Sequence, residues 1–222
     1  GGGGGDVGPG RGKQQGRVPW QRDRNVQCAI WLFAILAGGH AFFDEALPIY
    51  SAAGREVYGL DLNPLQVAIA LMCCGITVIV TAPALVPFLD KRLGSAGLTQ
   101  AGLGLLIVPT ILLPLASCFD SVAARVTVLT VGSCFKGFVA MSTFQPAMIM
   151  LNRCSPPDQL GAVNGASQMV TTACRALGPL SAGFVWSCTL RTGLPNHQFV
   201  VFSAAALLLW SGVPVAERLK GI

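Results

Sequence analysis

The sequence predicts an all-helical protein that crosses a membrane six times, and three observations carry that prediction. Hydrophobic residues make up 52% of the 222-residue chain and charged residues only 11%, whereas a soluble domain carries about 25% charged residues. Burial is incomplete at this length, so a soluble fold would need far more polar side chains to coat its surface. The mean hydropathy of +0.60 agrees. Six apolar segments each reach the roughly 20 residues that a helix needs to cross the hydrocarbon core, and Lys and Arg fall on alternate connections between them.

Residues 1–26 come first and differ from the rest. They hold seven of the 25 Asp, Glu, Lys and Arg and nine of the 27 glycines. Such a stretch reads as a flexible, basic, glycine-rich tail with nothing to form a core, and residues 27–220 as the membrane bundle. No apolar run with a small-residue cleavage site opens the chain as a secretory signal would. A chain that starts at Gly1 is expected to be a fragment, a processed product or an incomplete gene product.

The predicted spans are residues 27–49, 65–89, 97–119, 122–151, 160–190 and 198–216. A β-barrel is the other way to satisfy backbone groups in lipid. Its strands alternate apolar and polar residues, and runs such as Leu105-Leu106-Ile107-Val108 do not. Proline and glycine interrupt several spans, at Pro83, Pro87, Pro109, Pro114, Pro146 and Gly178-Pro179. Neighbouring helices can satisfy the carbonyls that such residues free.

With the tail in the cytoplasm, ten cations lie inside: Arg11, Lys13, Arg17, Arg22, Arg24, Lys91, Arg92, Arg153, Arg218 and Lys220. Only Arg55, Arg125 and Arg191 lie outside. This bias predicts an even number of spans with both termini cytoplasmic. The basic tail itself is expected to be a solvated linker, with no nucleic-acid partner.

Polar groups inside the spans point to function, because an ionisable side chain at mid-bilayer costs about 2.5–3.5 kcal/mol on insertion scales. The first span carries His40 and Asp44 one turn apart, with Glu45 beside them. The fourth carries Thr130, Ser133 and Lys136, with Thr143 beyond. In the fifth, Asn164, Gln168, Thr171 and Arg175 follow at spacings of 4, 3 and 4, which place them on one helical face. The third and sixth spans have almost no such groups. The first, fourth and fifth spans are therefore expected to line a wet path, and the third and sixth to face lipid. Lys136 and Arg175 either line that path or pair with carboxylates for stability. His40 either relays protons or donates to a backbone carbonyl. Asp44 and Glu45 either carry a proton or face water at the outer end of their span.

Other chemistry is disfavoured. The eight cysteines include no C-x-x-C pair and read as small apolar packing residues, with a disulfide between Cys118 and Cys188 left open. No G-x-S-x-G, H-E-x-x-H or G-x-x-x-x-G-K-[ST] motif occurs. Two histidines, His40 and His197, are too few for haem or di-iron sites, and His40 with Asp44 is an incomplete metal site. Neither an enzyme nor an ATP-driven pump is expected on this chain. No cofactor, catalytic residue or metal site is expected either.

Three stretches carry a resemblance. Pro87-Phe88-Leu89-Asp90-Lys91-Arg92-Leu93-Gly94, between spans two and three, resembles the basic cytoplasmic loop of major facilitator superfamily transporters, with the acidic residue shifted and the trailing basic pair absent. The segment from Ser155 to Gly165 and the segment Arg175-Ala176-Leu177-Gly178-Pro179-Leu180-Ser181-Ala182-Gly183, with Leu194-Pro195-Asn196-His197-Gln198, resemble the end of zinc-induced-facilitator-like transporters, on the drug:proton antiporter side of that superfamily. The resemblance covers residues 27–220. It implies the C-terminal six-helix half of a major facilitator fold, with an N-terminal six-helix half as missing partner. It also implies alternating access and proton-coupled exchange of a small solute, in a plasma membrane or a vacuole-type membrane. Asp90, Lys91, Arg92 and Gly94 would form the cytoplasmic gating loop, and Gly178-Pro179 an antiporter-type helix bend. The substrate and proton path would take in His40, Asp44, Glu45, Lys136, Asn164, Gln168, Thr171 and Arg175. The alternative is a non-transporting truncated product or a partner subunit.

Overall fold

The computed structural model describes residues 19–220. The tail expected over residues 1–26 therefore lies largely outside the described residues. Its described end is ordered: Trp20–Arg22 forms a 3-10 turn, Asp23 caps a helix by accepting from the Asn25 amide, and the Trp20 amide donates to Gln159 Oε1 at 3.1 Å.

All regular structure among the described residues is helical. The helices are α1 (Arg24–Ala52), α2 (Pro64–Leu105), α3 (Ile107–Leu115), α4 (Val122–Cys154), α5 (Leu160–Arg191), α6 (His197–Trp210) and α7 (Val213–Arg218). Local chemistry sets their starts. Asn63 and Gln66 form a reciprocal capping box at 2.9 and 3.0 Å ahead of α2, with Pro64 in the first turn, where its missing N–H costs nothing.

Four helical stretches among the described residues are long and apolar enough to cross a membrane: Arg24–Ala52, Pro64–Cys118, Val122–Cys154 and His197–Arg218. The difference from the six predicted spans has two causes. First, α5 is long enough, with 32 residues, but its polar stripe lowers its hydropathy. Second, Pro64–Cys118 is counted as one stretch of 55 residues. At 1.5 Å per residue a straight helix of that length would run about 80 Å, against about 30 Å of hydrocarbon. It is not straight. Gly94 sits at φ 72°, ψ 158°, a conformation that residues with a Cβ avoid.

The chain doubles back at Gly94, as contacts at the two ends of the bundle show. At one end the loop before α2 is pinned by Leu62 N–H to Ser51 O at 3.0 Å, while Arg125 donates to Leu60 O. The same end holds residues 113–118: the Tyr50 hydroxyl lies 3.1 and 3.0 Å from the carbonyls of Leu113 and Pro114, and Ser117 N–H donates to it at 3.1 Å. Gly94 lies at the opposite end, sharing a cavity with Arg153 and Lys220.

That Tyr50 knot is the main polar lock of the fold. Gln198 donates to Ser117 Oγ at 3.1 Å, and Arg55 to Ser117 O at 2.6 Å. Phe202 and Trp186 close on the Tyr50 ring at 5.4 and 6.4 Å, and His197 meets Trp186 at 4.8 Å. Ends of α1, α3, α5 and α6 are thereby joined.

The core centres on α1, whose Leu32, Leu36, Phe43 and Tyr50 are fully buried. Small residues let the helices approach closely. A Cβ on Gly178 of α5 would stand 2.6 Å from Ala41 Cβ and 2.9 Å from two backbone atoms of α1. α5 stays helical through Gly178-Pro179, the pair for which a bend is expected, and Gly178 is the point of close approach to α1. The outside is apolar. On α2, Leu65, Ile69, Met72, Ile76 and Ile79 are exposed, and on α5 Met169, Leu177, Leu180 and Phe184 are. Surfaces of this kind are stable in lipid and aggregate in water. Span two, which the expected division into wet and lipid-facing spans leaves unassigned, thus carries a large share of the exposed apolar surface. All eight cysteines are free, Cys118 and Cys188 included.

Two stability predictions follow from these contacts. Gly178→Val forces a side chain into the α1 backbone and should destabilise by about 1–3 kcal/mol, while Gly183→Ala, which meets open space, should leave the detergent unfolding midpoint unchanged or raised. Tyr50→Phe removes the hydroxyl from three backbone groups and should cost about 1–3 kcal/mol, read by the same thermal scan.

Candidate functional site

On α1 the periodicity that buries Phe43 and Ala46 also sets His40 inward and leaves Asp44 and Glu45 at the edge. His40 is 3% exposed. Its Nε2 lies 3.1 Å from Thr143 Oγ1 of α4. Thr143 already donates its hydroxyl proton to Ala140 O at 2.8 Å, so it accepts from His40 Nε2–H. The ring's Nδ1 then carries the lone pair, and it is buried without a hydrogen-bond partner.

Lys136 of α4 is buried, and its ammonium pairs with the Asp44 carboxylate. The pair is lopsided: the Lys136 side chain is 7% exposed and that of Asp44 62%. The ammonium also lies 5.6 Å from the centre of the Phe43 ring, a favourable cation–π contact. Arg175 of α5 makes a similar contact at 5.6 Å with Phe144. Phe144 meets His40 at 5.2 Å and Phe33 at 5.6 Å as well.

Several of these groups open on one cavity of about 280 Å3, lined by His40, Asp44, Glu45, Phe144, Arg175 and Pro179 together with Ala37 and Ala41. One cation, two carboxylates and an imidazole thus converge in a space suited to a small solute. Among the described residues, no group of three or more His, Cys, Asp or Glu comes together as a metal site would need.

The polar stripe of α5 straddles a boundary. Thr171 is buried, with Oγ1 unpartnered. Asn164 is half-buried, with Oδ1 buried and unpartnered. Gln168 and Arg175 are exposed. Of the eight expected path residues, the cavity collects His40, Asp44, Glu45 and Arg175. Lys136 joins through Asp44, and Asn164, Gln168 and Thr171 lie along α5 outside the cavity lining. Asp90, Lys91, Arg92 and Gly94 are not part of this site. They stand at the turn in the middle of α2, at the opposite end of the bundle from Tyr50, where Arg92 lies over the Phe88 ring at 4.7 Å. Sequence reasoning missed Phe144, whose ring touches both His40 and Arg175. The available signal was its place next to Thr143, on the helix already marked by Lys136.

Comparison with known proteins agrees with this architecture. The chain is 26% identical over 187 residues to a probable peptide/nitrate transporter of Arabidopsis thaliana, which covers 80% of the chain and 37% of that protein. It is 27% identical over 178 residues to Protein ZINC INDUCED FACILITATOR-LIKE 1 of the same plant, covering 78% of the chain and 37% of the relative. Protein ZINC INDUCED FACILITATOR 1 matches at 21% over 181 residues, with 80% and 37% covered. The chain therefore spans little more than a third of the length of these relatives. No solved structure matches. The profile of the Major Facilitator Superfamily matches residues 6–179, well over half of the chain, and the chain belongs to that superfamily.

Proposed function

We propose that this chain forms six membrane crossings of a secondary transporter and supplies one wall of its solute path. In this reading Pro64–Cys118 folds back at Gly94 into two crossings, and α5 is the crossing whose polar stripe is kept from lipid by the path itself. The chain covers little more than a third of its relatives, so a second helical body would face the side where Asp44, Glu45, Gln168 and Arg175 are exposed.

One observation carries the reading: a buried ammonium tied to a solvent-reachable carboxylate on the rim of a cavity that also holds His40 and Arg175. A lone charge in an apolar bundle is costly, so Lys136 needs a negative partner in every state. Protonation of Asp44 removes that partner. Lys136 then seeks another anion, either the solute's own or a carboxylate brought in by a change of conformation. Proton arrival at Asp44 is thereby coupled to solute binding. His40 Nδ1, a lone pair at the cavity, offers a way station for the proton, and Arg175 attracts an anionic group of the solute. Alternating access would move this wall against the opposite half around the cavity. The relatives' names mention peptide, nitrate and zinc; a small anionic or metal-chelating solute fits the cations of this cavity.

The test is pH-driven uptake in vesicles bearing the carrier assembled with this chain. Asp44→Asn and Arg175→Ala should each lower the flux at least tenfold, and Asp44→Asn should retain solute exchange that moves no net proton. Full pH-driven flux in both variants would remove the proposed roles.

The lopsided pair makes a separate prediction for stability. Asp44→Asn strands a buried ammonium and should cost about 2 kcal/mol, less than the roughly 3–5 kcal/mol of a fully buried pair because the carboxylate is partly screened by solvent. Lys136→Gln leaves the carboxylate facing solvent and should cost clearly less. Thermal unfolding of the two variants reads the order, and equal losses would mean that the ammonium is hydrated.

A further inference from the structure

At the end of the bundle remote from Tyr50, a second cavity of about 250 Å3 is lined by Gly94, Ser95, Met150, Arg153, Leu219 and Lys220, with a few neighbours of Gly94. Four features meet there. Gly94, with its extended ψ of 158°, ends one helical run and starts another. A helical run that starts after such a break presents its first N–H groups with partial positive charge. Ser95 is 5% exposed, and its hydroxyl is buried without a hydrogen-bond partner. Arg153 comes from the last turn of α4 and Lys220 from just beyond α7, and both side chains are exposed. Among the described residues that line the cavity, two are cationic and none is acidic. Asp90 and Glu217, the acidic residues nearest along the chain, do not line it.

Apart from Gly94, which the resemblance places in a gating loop, nothing in the transport reading uses this cluster. A free hydroxyl, a helix start and two cations around a cavity of this size match a tetrahedral oxyanion, since backbone N–H groups give direction and Arg and Lys neutralise charge. Gly94 leaves the approach open, because no atom lies within 4 Å of where a Cβ would stand. We propose that the break in α2 is a phosphate-binding site, held by Ser95, Arg153 and Lys220, for a phosphate group presented by an anionic lipid headgroup or by a soluble phosphate. The site lies at the end of the bundle where Lys91, Arg92, Arg153 and Lys220 gather, the end expected to meet the inner membrane surface. Occupancy would tie the turn of α2 to the ends of α4 and α7. It would therefore favour whichever state keeps those three ends together.

The purified full chain in phosphatidylcholine nanodiscs tests the site. One arm titrates inorganic phosphate and follows phosphorus NMR line width together with the unfolding midpoint. The second arm replaces 5 mol% of the lipid with phosphatidylinositol phosphate. Binding in either arm that falls at least tenfold in Arg153→Gln/Lys220→Gln, and severalfold in Ser95→Ala, supports the site. Phosphate binding assigns a soluble ligand, and binding of the inositol lipid alone assigns a headgroup. Lys91→Gln/Arg92→Gln removes the same charge on the same end of the bundle and should change affinity less than twofold. No binding in either arm, or an equal loss in that control, overturns the proposal. Should the Arg153/Lys220 double variant not fold, unchanged affinity in Ser95→Ala overturns it equally.

Discussion

An ammonium group buried in an apolar helical bundle must keep a negative partner, and among the described residues that of Lys136 is the carboxylate of Asp44. Much of the surrounding structure serves that constraint. Helices α1 and α4 must stay side by side to keep the pair. The Phe43 ring covers the ammonium on one side, and the pair's open side lies on the rim of a cavity. Because the cation is deep and the anion is at the edge, a proton or an incoming anion acts on the accessible member and is felt by the hidden one. A bundle built only for stability would gain by replacing such a pair with apolar residues of the same volume. In the proposed reading, its presence beside His40 and Arg175 links the fold to the solute path.

The two ends of the bundle are built differently, and each difference has a physical source. At the Tyr50 end, α3 gives way to a 3-10 turn at Ala116–Cys118. The Tyr50 hydroxyl caps the carbonyls of Leu113 and Pro114 there, and Gln198 donates to the Ser117 hydroxyl beside it. That end is cross-linked by hydrogen bonds and edge-to-face rings. At the Gly94 end a cavity lies open between the turn of α2 and the ends of α4 and α7, with the cations Arg153 and Lys220 on its lining.

Much of the fold was legible in the sequence because lipid imposes simple rules. The predicted segments 27–49, 122–151, 160–190 and 198–216 lie within a few residues of helices Arg24–Ala52, Val122–Cys154, Leu160–Arg191 and the pair His197–Trp210 and Val213–Arg218. Gly94 stood in a basic connection, and the chain does turn there. The stripe on α5 was readable from spacing, but its division was not. Which of Asn164, Gln168, Thr171 and Arg175 is buried depends on how α5 is rotated against α1, and the close approach of Gly178 to Ala41 sets that rotation. The pairing of Lys136 with Asp44 joins residues 92 apart, a distance over which periodicity is silent. Phe144 escaped notice because the search was for polar groups, while a cation in a bilayer is held as readily by an aromatic face. Ordered structure also reaches back to Trp20, whose ring packs on the core, a tertiary contact that composition does not reveal.

The central claim is that the polar face of α5 meets water while its apolar face meets lipid, within the same helix and at the same depth. Single cysteines placed at Gln168, Thr171 and Arg175, and at Leu177, Leu180 and Phe184, in a background freed of native thiols, can be challenged in intact membranes with a charged, water-soluble thiol reagent. The account predicts rapid reaction at Gln168 and Arg175, slower reaction at Thr171, and almost none at the three apolar positions. Equal reactivity around the helix, or protection of Arg175 together with labelling of Leu180, would contradict it.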